Sequence, residues 1–152
     1  MKRRTTVSRR SSAPESTSVP TLTPAQASAL EIYDTTLRDG AQAEDVSFSV
    51  EDKLRVAQQL DELGVHFIEG GWPGANPKDI EFFRQIKTIP FRNATVVAFG
   101  STRKASNSVR KDKNLQALLE SGTPTITLFG KSWSFQVTDA LGIALAKNLE
   151  LI

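Results

Sequence analysis

Cysteine is absent from this 152-residue sequence, and histidine occurs once, as His66. Without cysteine there is neither a disulfide framework nor a thiolate metal site, which fits a reducing compartment. No apolar run reaches the roughly 18 residues of a membrane span. There is no apolar h-region of the kind a secretory signal needs. No Gly-x-Gly-x-x-Gly follows an apolar segment, so a dinucleotide-binding sheet gains no support. Acids are scarce at one end only: residues 1–30 hold Lys2, Arg3, Arg4, Arg9 and Arg10 against Glu15 alone. The net charge of +2 and the pI of about 9.0 therefore belong to that end. Taking those five from 19 Lys and Arg, and Glu15 from 17 acids, leaves 14 against 16, a net −2. The remainder thus lacks the basic bias of a nucleic-acid-binding domain.

Residues 1–29 are rich in Ser, Thr and Pro and hold few large apolar side chains. Such a segment buries too little surface to offset its ordering entropy, and a disordered extension is expected. An Arg-rich, Ser-rich, acid-poor start also describes an organelle transit peptide. Pro14, Pro20 and Pro24 oppose the amphipathic helix that a presequence forms. A nucleic-acid-binding arm is the third reading. Residues 30–152 are expected to fold.

From Leu30 onward, short apolar runs alternate with segments of helical spacing. Ile32-Tyr33 leads a first strand. Ser49, with Asp52 three residues on, forms a capping box for a helix whose stripe is Val56, Leu60 and Leu63 and which stops at Gly64. A second strand is read at Val65–Glu69. Asn76 and Pro77 start a second helix, with Ile80, Phe83 and Ile86 inward. Thr95–Phe99 reads as a third strand buried on both faces. After a polar stretch, a helix is expected around Leu115–Glu120, then a fourth strand at Thr125–Phe129. A last helix is expected from Thr138 or Asp139 towards Ile152, with Leu141, Leu145 and Leu149 four apart. Four βα units imply parallel strands and right-handed crossovers, and leave open sheet and barrel both possible.

The densest chemistry lies at Asp34-Thr35-Thr36-Leu37-Arg38-Asp39-Gly40, where a strand runs into two acids, an Arg and a Gly. An acid at a strand end can bind a divalent cation, and an Arg four residues on can meet an anionic ligand. The same pattern can equally be a polar turn in which Arg38 neutralises its neighbours. Other expected strand ends carry Glu69, Gly100-Ser101-Thr102-Arg103 and Gly130-Lys131-Ser132. In a βα barrel all would converge on one face. His66 reads as a packed or interface histidine, and Trp72 as loop packing rather than a substrate platform.

The heptapeptide resembles the signature of metal-dependent acyl-CoA condensing and cleaving enzymes: the isopropylmalate, homocitrate and citramalate synthases and hydroxymethylglutaryl-CoA lyase. Ile68–Asp79, Ala98–Arg103 and Phe129–Trp133 resemble the citramalate branch. The resemblance covers about Leu30 to Ile152. It implies a TIM (β/α)8 barrel, of which four βα units would be the N-terminal half, since such barrels take about 250 residues. It implies metal binding at Asp34 and stabilisation of a carbonyl or enolate oxygen by Arg38. Asp39 would support the catalytic site, and Glu69 would neighbour metal-bound water or substrate, neutralise the Arg38 charge, or do both; Arg38, Gln42 and Arg103 would lie against substrate. Arg103 and Lys131 would face a carboxylate or CoA phosphates, or be ordinary loop charges. The cofactor would be Mg, Mn or Zn, and acetyl-CoA would condense with a 2-oxo acid. For the citramalate branch that acid is pyruvate, on the way to isoleucine; 2-isopropylmalate synthase is the alternative.

Two departures stand out. The family's other metal ligands are a late His-x-His, which this sequence lacks. Ser134 and Gln136 stand where the branch has Asp and His. The 152 residues alone are therefore expected to be inactive. They are read as a fragment, as a half-barrel that forms homo-oligomers or pairs with a chain carrying the other half, or as a non-catalytic interaction protein. Cytoplasmic location is expected, with mitochondrion or plastid the alternative if residues 1–29 are a transit peptide.

Overall fold

A computed structural model describes residues 30–152; the extension read at 1–29 lies outside the described residues. Four strands form one parallel sheet in the order β1 (Tyr33–Asp34), β2 (Phe67–Gly71), β3 (Thr95–Ser101), β4 (Thr125–Phe129). Each strand sits beside its successor in sequence, and a helix makes each crossover between β1 and β4. These are α1 (Val50–Leu63), α2 (Pro77–Ile86) and α3 (Lys113–Ser121). A short α4 (Leu145–Leu149) follows β4. Register runs Asp34 beside Ile68, Glu69 beside Val97, and Phe99 beside Thr127, with an irregularity in β2 between Glu69 and Gly71.

Local chemistry explains the helix ends. The Ser49 hydroxyl accepts from the Asp52 N–H, and the Asp52 carboxylate accepts from the Ser49 N–H, closing the expected capping box. Gly64 ends α1 in the left-handed region at φ 86°. The Asn76 side chain caps α2 with Pro77 at its first position. Asp112 caps α3 through the Asn114 and Leu115 N–H groups.

The core lies between the sheet and its helices. Ile68 and Ala98 from the sheet meet Ala57, Phe82, Phe83, Ile86 and Leu118 from α1–α3. Burying each Phe is worth roughly 1.5–3 kcal/mol. Gly70 permits this packing: a Cβ there would lie 2.4 Å from Phe82 Cε1. Gly71, at φ 148°, is likewise pressed against the Asp79 carboxyl.

Three expectations needed correction. Strand β2 begins at Phe67 and runs to Gly71, so Glu69 sits inside the strand and His66 precedes it. The stripes were partly misread: Leu63 and Ile80 are exposed, whereas Lys53, Asp61 and Asp79 are buried. A buried ion pair and a carboxylate capped by backbone N–H groups took positions that polarity assigned to solvent. The long final helix does not form. A π-helical turn at Gln136–Ala140 gives way to Gly142 at φ 64°, and α4 follows separately. Leu141, Leu145 and Leu149 are exposed, and Val137, Asn148 and Leu151 are buried instead.

Candidate active site

Side chains alternate along each strand, so the residues between the helix-facing ones point to the other face of the sheet. That face carries Tyr33, Phe67, Glu69, Phe99 and Thr127. Glu69 is 1% exposed, and both its oxygens are engaged. Arg38 Nε donates to Oε2 at 2.5 Å, and the Tyr33 hydroxyl donates to Oε1 at 2.8 Å. Arg38 also donates to Asp39 Oδ1 at 2.7 Å, and its guanidinium lies 4.0 Å from the centroid of the Phe99 ring. The loop after β1 places Arg38 here. The Arg38, Asp39 and Gly40 N–H groups all turn back onto the Thr35 carbonyl, and Leu37 anchors the loop in the core. The result is a guanidinium pinned by two carboxylates and one ring, with its side chain 19% exposed. A fixed, half-desolvated cation of this kind favours an oxygen on which negative charge develops.

Asp34 ends β1. Its two oxygens accept from the Thr36 N–H and hydroxyl, each at 3.0 Å. Both oxygens keep lone pairs, so the carboxylate can serve as one ligand of a hard cation. Among the described residues, no three His, Cys, Asp or Glu side chains gather as a metal centre. The donor set present is one ligand of such a site, not a complete one.

The other expected site residues divide. Gln42, in a 3-10 turn, lines a small cleft with Leu37, Arg38, Trp72 and Asp79. Arg103 donates to the carbonyls of Asn107 and Glu150, and none of its hydrogen bonds reaches the Arg38 cluster. Lys131 stacks over Phe129, 5.1 Å from the ring centroid. His66 Nδ1 accepts from the Ile32 N–H at 3.0 Å. Trp72 donates from Nε1 to Asn114 and packs edge-on to Phe99, as expected of loop packing.

Sequence reading missed three participants. Tyr33 was read only as strand. Its hydroxyl meets Thr127 Oγ1 at 2.6 Å as well as Glu69, and burial, together with Glu69, pushes its pKa up to about 12. Phe99 was read only as core. The buried Lys53–Asp79 pair, with Asp79 also accepting the Trp72 N–H at 2.8 Å, fixes the loop after β2 beneath the cluster. The period-two alternation at Tyr33 and Thr127 was a usable signal, but their meeting depends on sheet curvature.

The HMGL-like family model matches residues 29–150. The (R)-citramalate synthase of Geobacter sulfurreducens is 56% identical over 125 residues, covering 82% of this chain and 24% of that protein. That of Aquifex aeolicus is 55% identical over 121 residues, covering 80% and 23%. The 2-isopropylmalate synthase of Listeria welshimeri is more distant, at 38% over 101 residues, covering 66% and 19%. The chain thus spans about a quarter of the length of the citramalate synthases it matches. Among solved structures, hydroxymethylglutaryl-CoA lyase from Pseudomonas aeruginosa superposes with a TM-score of 0.57 at 26% identity, covering 79% of this chain and 38% of that one. The Bacillus subtilis HMG-CoA lyase gives 0.59 at 21% identity, covering 80% and 39%, a likeness of fold. The four βα units are therefore part of a TIM barrel. With the matching model running across residues 29–150, the chain belongs to the HMGL-like family.

Proposed function

We propose that residues 30–152 carry the first half of the active site of a citramalate synthase, an acyltransferase condensing acetyl-CoA with pyruvate for isoleucine synthesis. The observation that carries this reading is Arg38, pinned between Glu69 and Asp39 over Phe99 at the end of the first strand. In the proposed reaction a base takes a methyl proton from acetyl-CoA, the resulting enolate carbon bonds to C2 of pyruvate, and the proton returns from the base to the C2 oxygen as the alcohol forms. The carbonyl π electrons move onto oxygen beside Arg38, whose charge stabilises them without reorganising. Water then cleaves the thioester, releasing CoA. Asp34 would hold a divalent cation, Mg, Mn or Zn, with ligands from outside the described residues. That cation would supply Lewis-acid polarisation of the 2-oxo acid. Asp39 holds the guanidinium from the open side, Gln42 faces substrate from the adjoining cleft, and Arg103 is assigned to substrate carboxylate or CoA phosphate.

The rest of the barrel belongs to the same proposal. Among the described residues, strand β4 ends the sheet, with Leu128 and Phe129 about half exposed. An unpaired edge of this kind invites another strand, so pairing with the remaining half-barrel, or homo-oligomerisation, accompanies activity. No helix among the described residues is long and apolar enough to cross a membrane. Cytoplasmic location is proposed, with plastid or mitochondrion the alternative if residues 1–29 act as a transit peptide.

The test is substrate choice. The native gene product, given acetyl-CoA and Mg²⁺ or Mn²⁺, should release CoA with pyruvate and form citramalate. Preference for a bulkier branched 2-oxo acid, with isopropylmalate as product, would replace this reading with the leucine-pathway one. The isolated 152 residues should show no turnover.

A further inference from the structure

The Tyr33 and Thr127 side chains come from β1 and β4, the two outermost strands, 94 residues apart in sequence. A phenol has one proton to donate. Tyr33 donates it to Glu69 Oε1 at 2.8 Å, so in the 2.6 Å contact with Thr127 the threonine hydroxyl must be the donor. The order of donation is then fixed: Thr127 to Tyr33, Tyr33 to Glu69, and Arg38 to the other Glu69 oxygen. This chain crosses the concave face of the sheet. It leaves the Glu69 carboxylate no free rotation, because each oxygen is held from a different side. Stacking of Tyr33 on Phe67, with ring centroids 6.0 Å apart, fixes the phenol in turn.

We propose that Tyr33 and Thr127 are positioning residues for Arg38, acting through Glu69. The functional meaning rests on the role proposed above for Arg38; the geometry does not. Without the Tyr33 hydroxyl, Glu69 Oε1 is a buried acceptor with no partner, and such a carboxylate turns towards whatever donor it can reach. Arg38 Nε then loses its fixed acceptor. Without the Thr127 hydroxyl, the phenol loses the donor that aligns it. The bridge also ties the outermost strands together, so sheet curvature sets where Arg38 points.

A spectroscopic readout on the 152-residue protein tests this without activity. In ¹⁵N-arginine-labelled protein, the Arg38 Nε–H resonance, assigned by its loss in R38K, should exchange slowly. Y33F and T127V should each speed its exchange at least about tenfold, the loss of roughly 1.4 kcal/mol of protection, while T127S should not. Arg38 exchange unchanged within twofold in a folded Y33F protein would overturn the proposal. If the native product makes no citramalate while this exchange pattern holds, the functional reading fails and the positioning bridge stands.

Discussion

Removing one partner of the Lys53–Asp79 pair should destabilise the protein far more than removing both. Lys53 is 4% exposed and Asp79 5%. Lys53 Nζ bonds Asp79 Oδ1 and lies 5.1 Å from the Phe82 ring centroid; Asp79 Oδ2 takes the Trp72 N–H. Lys53→Met leaves a carboxylate in an apolar layer with one backbone donor. Breaking such a pair costs about 3–5 kcal/mol, whereas replacing both partners by apolar groups is often neutral or stabilising by about 1–4 kcal/mol. In Lys53→Met with Asp79→Leu, the Trp72 N–H still loses its acceptor, at about 1–3 kcal/mol. These contributions nearly cancel, so the double variant should lie within about 2 kcal/mol of the parent. Urea unfolding followed by tryptophan fluorescence measures this. With a slope of about 2 kcal/mol per molar, K53M should lower the midpoint by roughly 2 M and the double variant by less than about 1 M. A K53M shift below about 0.5 M at unchanged slope would mean that the pair is solvated. A double variant less stable than either single would refute the coupling.

Three further outcomes follow from particular contacts. Gly70→Ala should cost about 1–3 kcal/mol, read as a lowered Tm, because its Cβ meets the immobile Phe82 ring; an unchanged Tm would show that the ring yields. Burial raises the Asp61 pKa, but the N–H groups of Arg92, Asn93 and Ala94 outweigh it and hold the group below the usual carboxylate range. The stability it lends is thus present above the unfolded-state pKa of about 3.9 and is lost as pH falls through the folded value. The stability gap between parent and D61N should therefore be constant near neutrality and close below about pH 4, and a gap that widens in acid would contradict the assignment. Under the proposed function, Arg38→Lys in the native gene product should not restore the rate lost in Arg38→Ala, because an ammonium cannot span Glu69 and Asp39 while stacking on Phe99. Near-parental turnover by the lysine variant would remove the fork from the account.

Features governed by neighbours in sequence were legible. Ser49 and Asp52, Asn76 and Pro77, and Gly64 specify helix ends with residues a few positions apart, and the structure has all of them. The fourth strand was read to its ends because Thr and Ile alternate between turns. Leucine spacing at 141, 145 and 149 failed because periodicity says nothing of Gly142, whose left-handed backbone stops the helix between the first two. Burial of Lys53, Asp61 and Asp79 was illegible because each depends on a partner 26 to 33 residues away. The site divides along the same line. Asp34, Arg38 and Asp39 came from one contiguous signature, and Glu69 joins Arg38 across two strands. Alternation puts Tyr33 and Thr127 on one face, but they meet only once the sheet has curved. The hydrogen bonds of Arg103 to the carbonyls of Asn107 and Glu150 were not legible, because the second partner lies 47 residues away.

In the proposed function Arg38, as Glu69 and Asp39 set it, stabilises the oxygen that becomes charged as acetyl-CoA joins pyruvate. Single-turnover citramalate formation by the native protein and its Arg38→Ala variant, with Mg²⁺ or Mn²⁺ and saturating substrates, tests this. Loss of one such donor should lower the rate about 10²- to 10³-fold, with pyruvate still bound. A folded variant that forms citramalate within a few-fold of the parental rate would contradict the account.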